Sequence, residues 1–591
     1  MKAKLHLSII MGLIGFLSWA QIPFEENVGI ANNHYHDLNI EPLDNGTGDF
    51  IVAGNLLDAT LQNLQFTVKR VDVNGNIVWI NTYDPAPGSA VQQIRGFDIT
   101  IQGNSIFATG SVDVLNSGGM LEKKVFIMEI DANVGATAGT TQWYEIVSAN
   151  FNSRGVHIKP TSSDADGDGA PDPGFVVAGF FSDCFNVNTQ CQNNISFLLR
   201  TDASLNVIWL IEIDTLVSNN TFDYDFANDV TETPLGFFVT GSSTAQIGAN
   251  EQQGVLAHKV DFQGNILWDN SYYFGNSNDV SVDAYYDAAT SSVYMLTNYS
   301  VTHYFGVTCF AASTGTINPA ASWYTTGNDL DRYGFTIMES VNNPPNLVIT
   351  GYDRDENWID GNNNPQFGQS NLFVYEFDKA SGNPFGATLQ YLVPHMEPVG
   401  DEFNFWNAQM PLLYYPDISF PEQREDASVA EYYHVGYRTE PPATFTEAEL
   451  FATTQNKRNE CDNIDFVLTR NALSVQGVTV SSGFVPSNQA PFVETVNPLN
   501  YNLDMCNPTL SINDIPVEEV RLYPNPAKTE FYITSSEAKA YIITDALGRD
   551  VARGSFQSGV PINVATLGSG LYFVTLVADN QKLGTFKLLK D

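Results

Sequence analysis

The stretch DVNGNIVWINTY at 72–83 returns as DASLNVIWLIEI at 202–213 and as DFQGNILWDNSY at 261–272. Looser echoes are DANVGATAGTTQWYEI (131–146), AASTGTINPAASWYTT (311–326) and DKASGNPFGATLQYLV (378–393). Each places a polar Gly/Asn/Asp turn between two apolar runs, and the second run carries an aromatic or a large apolar residue. That is the pattern of a β-hairpin. A short β-rich run precedes each hairpin: DFIVAGN (49–55), SIFATGS (105–111), GFVVAGF (174–180), GFFVTGS (236–242), SVYMLTN (292–298), NLVITGY (346–352) and YYHVGYR (432–438). Before most of these lies one more, as in HDLNIEP, GFDITIQ, GVHIKPT, ANDVTET and GFTIMES. The unit therefore has about four strands and recurs roughly every 55 to 70 residues.

Seven such units fit between Asn33 and Phe484. One twisted sheet of that size would expose two adhesive edges. Four-stranded units in series instead predict a β-propeller, which leaves only short, protected edges. The expected fold class is all-β, with about seven four-stranded blades followed by a small Ig-like β-sandwich. A solenoid would repeat at shorter intervals, and a string of sandwiches would show linkers between units. Trp79, Trp143, Trp209, Trp268 and Trp323 recur at one place in the unit, which makes them blade-packing residues.

The expected domains are a signal peptide at 1–20, the propeller body at 21–485, a proline-dotted irregular linker at 486–517 and a C-terminal module at 518–591. Lys2 and Lys4 precede the apolar run LHLSIIMGLIGFL and the small-residue site Ser18-Trp19-Ala20, the marks of a secretory signal. No other long apolar run follows, so no transmembrane segment is expected in the mature chain.

Charge separates body from module. The chain carries 67 acidic and 27 basic residues. The stretch from Glu518 to Asp591 is balanced, with eight of each, so all of the excess negative charge falls on residues 21–517. Such a body repels phosphate backbones, which excludes nucleic acid as a partner. In an exported chain, Cys184 and Cys191 can staple the short loop DCFNVNTQC, and Cys461 and Cys506 can tie the end of the body to the linker. Cys309, within the apolar run FGVTCFAA, reads as a buried free thiol.

The module itself carries seven short β runs with turns between them. LYPNPAK (522–528), ALGRDV (546–551), LGSGLYFVTL (567–576) and the basic end GTFKLLK (584–590) resemble the type A C-terminal sorting domain of the Bacteroidetes type IX secretion system. The sorting motif residues are Leu522, Tyr523, Pro524, Asn525, Pro526, Gly548, Arg549, Gly570 and Lys587. The resemblance implies Sec export, recognition by the type IX machinery and passage across the outer membrane. It also implies removal of the module near Ser511–Val517, and attachment to surface lipopolysaccharide or release. The body's repeats resemble bacterial seven-bladed propeller families, and in part the quinoprotein propellers whose Gly-turn-Trp motif docks blades. No adjacent cysteine pair or haem motif accompanies that likeness, so it implies no such cofactor.

DADGDGAPD (164–172) is the sharpest local motif. Asp164, Asp166 and Asp168 take positions 1, 3 and 5 of a calcium loop, with Asp172 at position 9. Alternate carboxylates there can converge on one hard cation, although Phe175 stands where an EF-hand has Glu. The same residues also suit a solvated acidic turn. Taken together, the sequence predicts a secreted or cell-surface propeller that binds glycan or protein, with calcium as its one candidate cofactor. The alternatives are a polysaccharide-active enzyme on the same scaffold and a structural surface-layer component.

Overall fold

In the computed structural model the described residues run from 25 to 505 and from 522 to 591, less 183–192, 215–222, 274–278, 356–369, 392–422, 439–446, 454–463 and shorter loop segments. Side chains are described mainly within 35–383 and 522–591. Every regular element among them is a strand. The chain divides into two compact units, Met1–Cys506 and Asn507–Asp591.

Among the described residues, the first unit holds seven sheets of blade-like form, antiparallel except that the short strand Asp223–Tyr224 runs parallel to Asn193–Asp202. Sheet I is Asn33–Pro42, Phe50–Asp58, Leu64–Val71 and Ile77–Pro85. Sheet II is Val91–Gln102, Ser105–Leu115, Leu121–Asp131 and Thr141–Glu145. Sheet III is Asn152–Thr161, Gly174–Ser182, Asn193–Asp202 and Val207–Asp214. Sheet IV is Phe226–Thr233, Gly236–Ile247, Asn250–Val260 and Ile266–Tyr273. Sheet V is Asp279–Asp287, Ser292–Tyr299, Tyr304–Ala311 and Trp323–Thr326. Sheet VI is Leu330–Glu339, Asn346–Asp355, Ser370–Asp378 and Thr388–Tyr391. Sheet VII takes only Gln423–Asp426, Glu431–Arg438 and Glu447–Thr453 from this part of the chain. Its fourth strand is Glu25–Gly29, from the other end of the unit. First strands pack on first strands in the order VII, I, II, III, IV, V, VI.

The segment from 464 to 505 adds one outer strand to every sheet. Ile464–Phe466 pairs with sheet VI, Thr469–Ala472 with V, Gln476–Thr479 with IV, and Ser481–Phe484 with III. Asn488–Phe492 then pairs with II, Glu494–Pro498 with I, and Asn502–Met505 with Glu25–Gly29 of sheet VII. Residues 488–505 thus complete sheets of the body where an irregular linker was expected. Likewise, residues 464–484 are not part of a seventh repeat.

Neighbouring sheets bury continuous apolar faces between them. Phe66, Val68, Ala108, Phe126 and Met128 share the cluster between I and II. Val176, Leu198, Phe237, Val239 and Leu256 share that between III and IV. Fourth-strand tryptophans reach across these interfaces to the turn between strands three and four of the next sheet. Trp79 Nε1 donates to Ala132 O at 3.1 Å, and Trp209 Nε1 donates to Phe262 O at 2.9 Å. A Cβ on Gly135, Gly264, Gly315 or Gly382 would meet the ring of Trp79, Trp209, Trp268 or Trp323 at 3.0 Å or less. All four glycines have positive φ. A turn that both bends left-handed and lies on an indole has room only for hydrogen at that position.

Trp143 departs from the pattern. It packs on the interface between I and II, behind its own sheet. Tyr144 takes the forward place, lying in the cluster between II and III and donating its hydroxyl to Leu205 O at 2.8 Å. Side chains alternate along a strand, so the one-residue difference reverses the direction. Leu205 stands where the other turns have glycine and holds φ at 63°.

Among the described residues, the second unit has two sheets. One is Leu522–Tyr523, Glu530–Ile533 and Ile562–Asn563. The other has the order Asp550–Ser555, Ala540–Asp545, Gly570–Ala578 and Gln581–Lys590. Ala527, Phe531, Ile533, Ile543, Val574, Leu576 and Leu588 form their common core.

Candidate functional site

Each first strand from sheet I to sheet VI skips one residue in its pairing at an equivalent place: Leu38, Phe97, Val156, Asn228, Val282 and Phe335. Such a bulge interrupts the ladder and re-aims the next side chain. That next residue is Asn39, Asp98, His157, Asp229, Asp283 or Thr336. Most of them reach to the neighbouring sheet. Asp98 Oδ2 accepts from Ile158 N at 2.6 Å, Asp229 Oδ2 from Ala284 N at 3.1 Å, and Asp283 Oδ2 from Ile337 N at 2.7 Å. Asn39 Nδ2 donates to Asp98 Oδ1. His157 lies between two carboxylates, with Nδ1 3.3 Å from Asp98 Oδ2 and Nε2 3.2 Å from Asp229 Oδ1. Lys159 Nζ adds a contact of 3.6 Å to Asp229.

Burial by itself would raise the Asp229 pKa. The charges of Lys159 and His157, together with hydrogen bonds from Thr231 and the Val230 backbone, outweigh burial and hold the carboxyl below the usual range. The girdle joins backbone to backbone across consecutive sheets, which fixes their first strands to one another. Its signal is present in the sequence as a small residue, any residue, a polar residue and an aliphatic one. Examples are GFDI, GVHI and ANDV. Reading these strands only as β-rich runs does not reveal it.

A second cluster lies toward the start of the first strands of sheets II and III. Arg95 Nη1 and Lys123 Nζ donate to Asp113 Oδ1 at 2.8 and 2.9 Å. The Arg154 guanidinium lies over the rings of Phe97 and Phe180, about 6 Å from each centroid. Burial, with the nearby Arg95 and Arg154 charges, pushes the Lys123 ammonium down to about 7 against the pull of Asp113. Burial would raise the Asp113 carboxyl, but Arg95 and Lys123 bring it below its ordinary value.

The acidic loop 162–173 joins the first two strands of sheet III. Carboxylate oxygens of Asp164, Asp166 and Asp172 lie within 4.8 Å of one another. The backbone folds around them: Gly167 N and Gly169 N donate to Asp164 at 2.7 and 2.8 Å, and Ala165 N donates to Asp172 Oδ2 at 2.8 Å. Asp168 stands apart from this cluster, with Oδ1 accepting from Ala170 N at 2.7 Å. Oxygen donors so grouped suit a hard divalent cation. Cys309 is buried and free. Cys184, Cys191, Cys461 and Cys506 lie outside the described residues, as do the signal peptide and Gly548.

In the second unit the two ends of the motif set meet. Asn525 Nδ2 donates to Lys587 O at 2.8 Å, and Asn525 Oδ1 accepts from Leu589 N at 2.8 Å. Ala527 N donates to Leu589 O at 2.8 Å, and Asp591 N donates to Ala527 O at 2.9 Å. LYPNPAK therefore clasps the final strand. The Tyr523–Pro524 and Asn525–Pro526 bonds are cis, and Tyr523 stacks on Tyr532 with centroids 5.6 Å apart. Arg549 pairs with Asp545 at 2.7 Å across the turn at ALGRD. Gly570 pairs in register with Lys590, while Lys587 is exposed.

Residues 521–590 match the family described as the Secretion system C-terminal sorting domain. No curated protein matches the chain. Among solved structures, one similar chain is the extracellular domain of BT4673 from B. thetaiotaomicron, described as a one component system. It has 9% identity and a TM-score of 0.18, over 97% of this chain and all of that one. A second structure of that extracellular domain, described as a hybrid two component system, has 10% identity and a TM-score of 0.12. It spans 96% of this chain and 99% of that one. The sorting tail marks the chain for export by the type IX machinery, to the cell surface or the medium. Among the described residues, no helix is long and apolar enough to cross a membrane.

Proposed function

We propose that the body is a closed seven-bladed β-propeller that binds an extracellular glycan or protein, delivered by an Ig-like sorting sandwich. The supporting observation is how the sheets divide their connections. In an antiparallel sheet of four strands, links from strand two to three and from each sheet to the next share one end. In this chain the described strands that flank 356–369 and 392–422 end or begin there. The described residues there include the cationic cluster of Arg95, Lys123 and Arg154. The other end carries the acidic loop 162–173 and, among its links, the four Gly turns docked on tryptophan. Long connections on a rigid scaffold are where proteins place binding surfaces.

Asp164, Asp166 and Asp172 hold calcium in this reading, with Asp168 at the rim. After removal of the sorting unit, the body is attached to surface lipopolysaccharide or released. The test is a glycan array and a polysaccharide-hydrolysis screen on the mature chain, with calcium and with EDTA. Saturable binding without product is the expected result. Release of reducing sugar would replace this reading with a polysaccharide-active enzyme.

A further inference from the structure

A sheet that ends on its fourth strand leaves a row of unpaired N–H and C=O groups, a template for foreign strands. Seven sheets would leave seven such rows. In this chain each row is met by the segment 464–505, taken in the reverse order VI, V, IV, III, II, I, VII. The segment advances one sheet in about six residues, roughly 20 Å of extended chain. Pro491 and Pro498 fall within its strands, opposite Gln142 and Asn81. Proline cannot donate to a ladder and is confined to edge strands, which is the position these strands occupy.

The last step differs from the others. Asn502–Met505 has no fourth strand of local origin to pair with. Its partner is Glu25–Gly29, in the register Glu26 with Met505 and Gly29 with Asn502. Glu25–Gly29 is held on its other side by Glu447–Thr453. Sheet VII is therefore complete only when both ends of the body are in place. The sorting unit begins just beyond, at Asn507.

We propose that residues 464–505 form a locking strap, for which the outer rim of the seven sheets is the interaction surface. The strap covers every outer edge and fastens onto the N-terminal strand. Because it ends before the sorting unit starts, that unit can be cut away and leave the body locked. The inference rests on strand pairing and is independent of what the body binds.

The test uses the chain from residue 21 to Asp591, sorting unit included, with a specific protease site placed within 454–463. After complete cleavage, the fragment from the cut to Asp591 should stay with the body on native size exclusion and separate only in denaturant. Separation in native buffer overturns the proposal, as does elution of the uncut chain as a strand-exchanged dimer. Should the insertion impair folding, hydrogen exchange on the unmodified chain decides. Amides of Gln476–Thr479 and Ser481–Phe484 should exchange at least about 100-fold more slowly than in the free 464–505 peptide. Equal rates overturn the strap.

Discussion

Replacing Trp323 by alanine tests the interlocking of the sheets most directly. Trp323 is fully buried between sheets V and VI. Its ring meets Phe377 edge-on at 4.7 Å, and Tyr375 and Phe305 at 6.0 and 6.2 Å. Truncating a buried tryptophan costs about 3–5 kcal/mol, and three edge-on partners place this site at the upper end. Trp143 is only partly buried and sits behind its sheet, so Trp143→Ala should cost about 1–2 kcal/mol. Tyr144→Phe loses the hydroxyl bond to Leu205, at about 1 kcal/mol. Gly382→Ala adds a Cβ 2.3 Å from Trp323 Cδ1 at a residue with φ of 66°. The ring overlap disappears once Trp323 is alanine, which leaves about 1–2 kcal/mol of backbone strain. The double variant should therefore be less destabilised than the sum of the two single ones. The assay is urea unfolding followed by far-ultraviolet circular dichroism, with midpoints displaced by on the order of 1 M for Trp323→Ala. Equal losses for Trp323→Ala and Trp143→Ala would refute the interlock, and strict additivity of Gly382→Ala with Trp323→Ala would refute the contact.

Three other outcomes are expected. The Asp229 pKa lies below its ordinary value, so its contribution is full above the unfolded carboxylate pKa and is lost as pH falls through the folded value. Melting temperature from pH 7 to 3 should fall less steeply in Asp229→Asn, from a lower starting point. His258 is fully buried, and burial pushes it down to about 3. The unfolded chain therefore takes the proton first, and stability drops as pH falls below about 6.5, by about 1.4 kcal/mol per unit. His258→Leu should flatten that limb in urea titrations at pH 4 to 7. Asn525→Ala removes both bonds to the final strand and should cost about 1–2 kcal/mol. Faster proteolysis near Lys587 and lower yield of exported chain would show it, whereas unchanged values would discount the clasp.

Hairpins, sheet order within each repeat and the sorting motifs were legible because each depends on neighbours along the chain. Gly75 and Gly264 declare their turns, and LYPNPAK with GTFKLLK declares the module. The latches of the girdle were legible in principle, since a polar residue recurs at one place in every first strand from sheet I to sheet VI. What hid them was the bulge. A one-residue skip changes which way Asp98 or His157 points, and alternation along a strand does not report it. The same limit applies to Trp143 and Tyr144, where adjacent residues compete for one forward position.

The segment 464–505 shows where local reading stops. Its strands are short and proline-dotted, and alone they have no reason to be strands. They become strands because seven outer edges offer unpaired backbone groups, a property of the assembled sheets. The seventh sheet is similar, because its fourth strand comes from more than 400 residues away. The sequence by itself determined the repeat, the turns, the acidic loop and the route of export, each set by residues close together in the chain. Tertiary structure alone decided the closure of the edges, the pairing of the two ends and the carboxylates of the first-strand girdle. Those depend on backbone hydrogen bonds and charges that meet only after the sheets have packed.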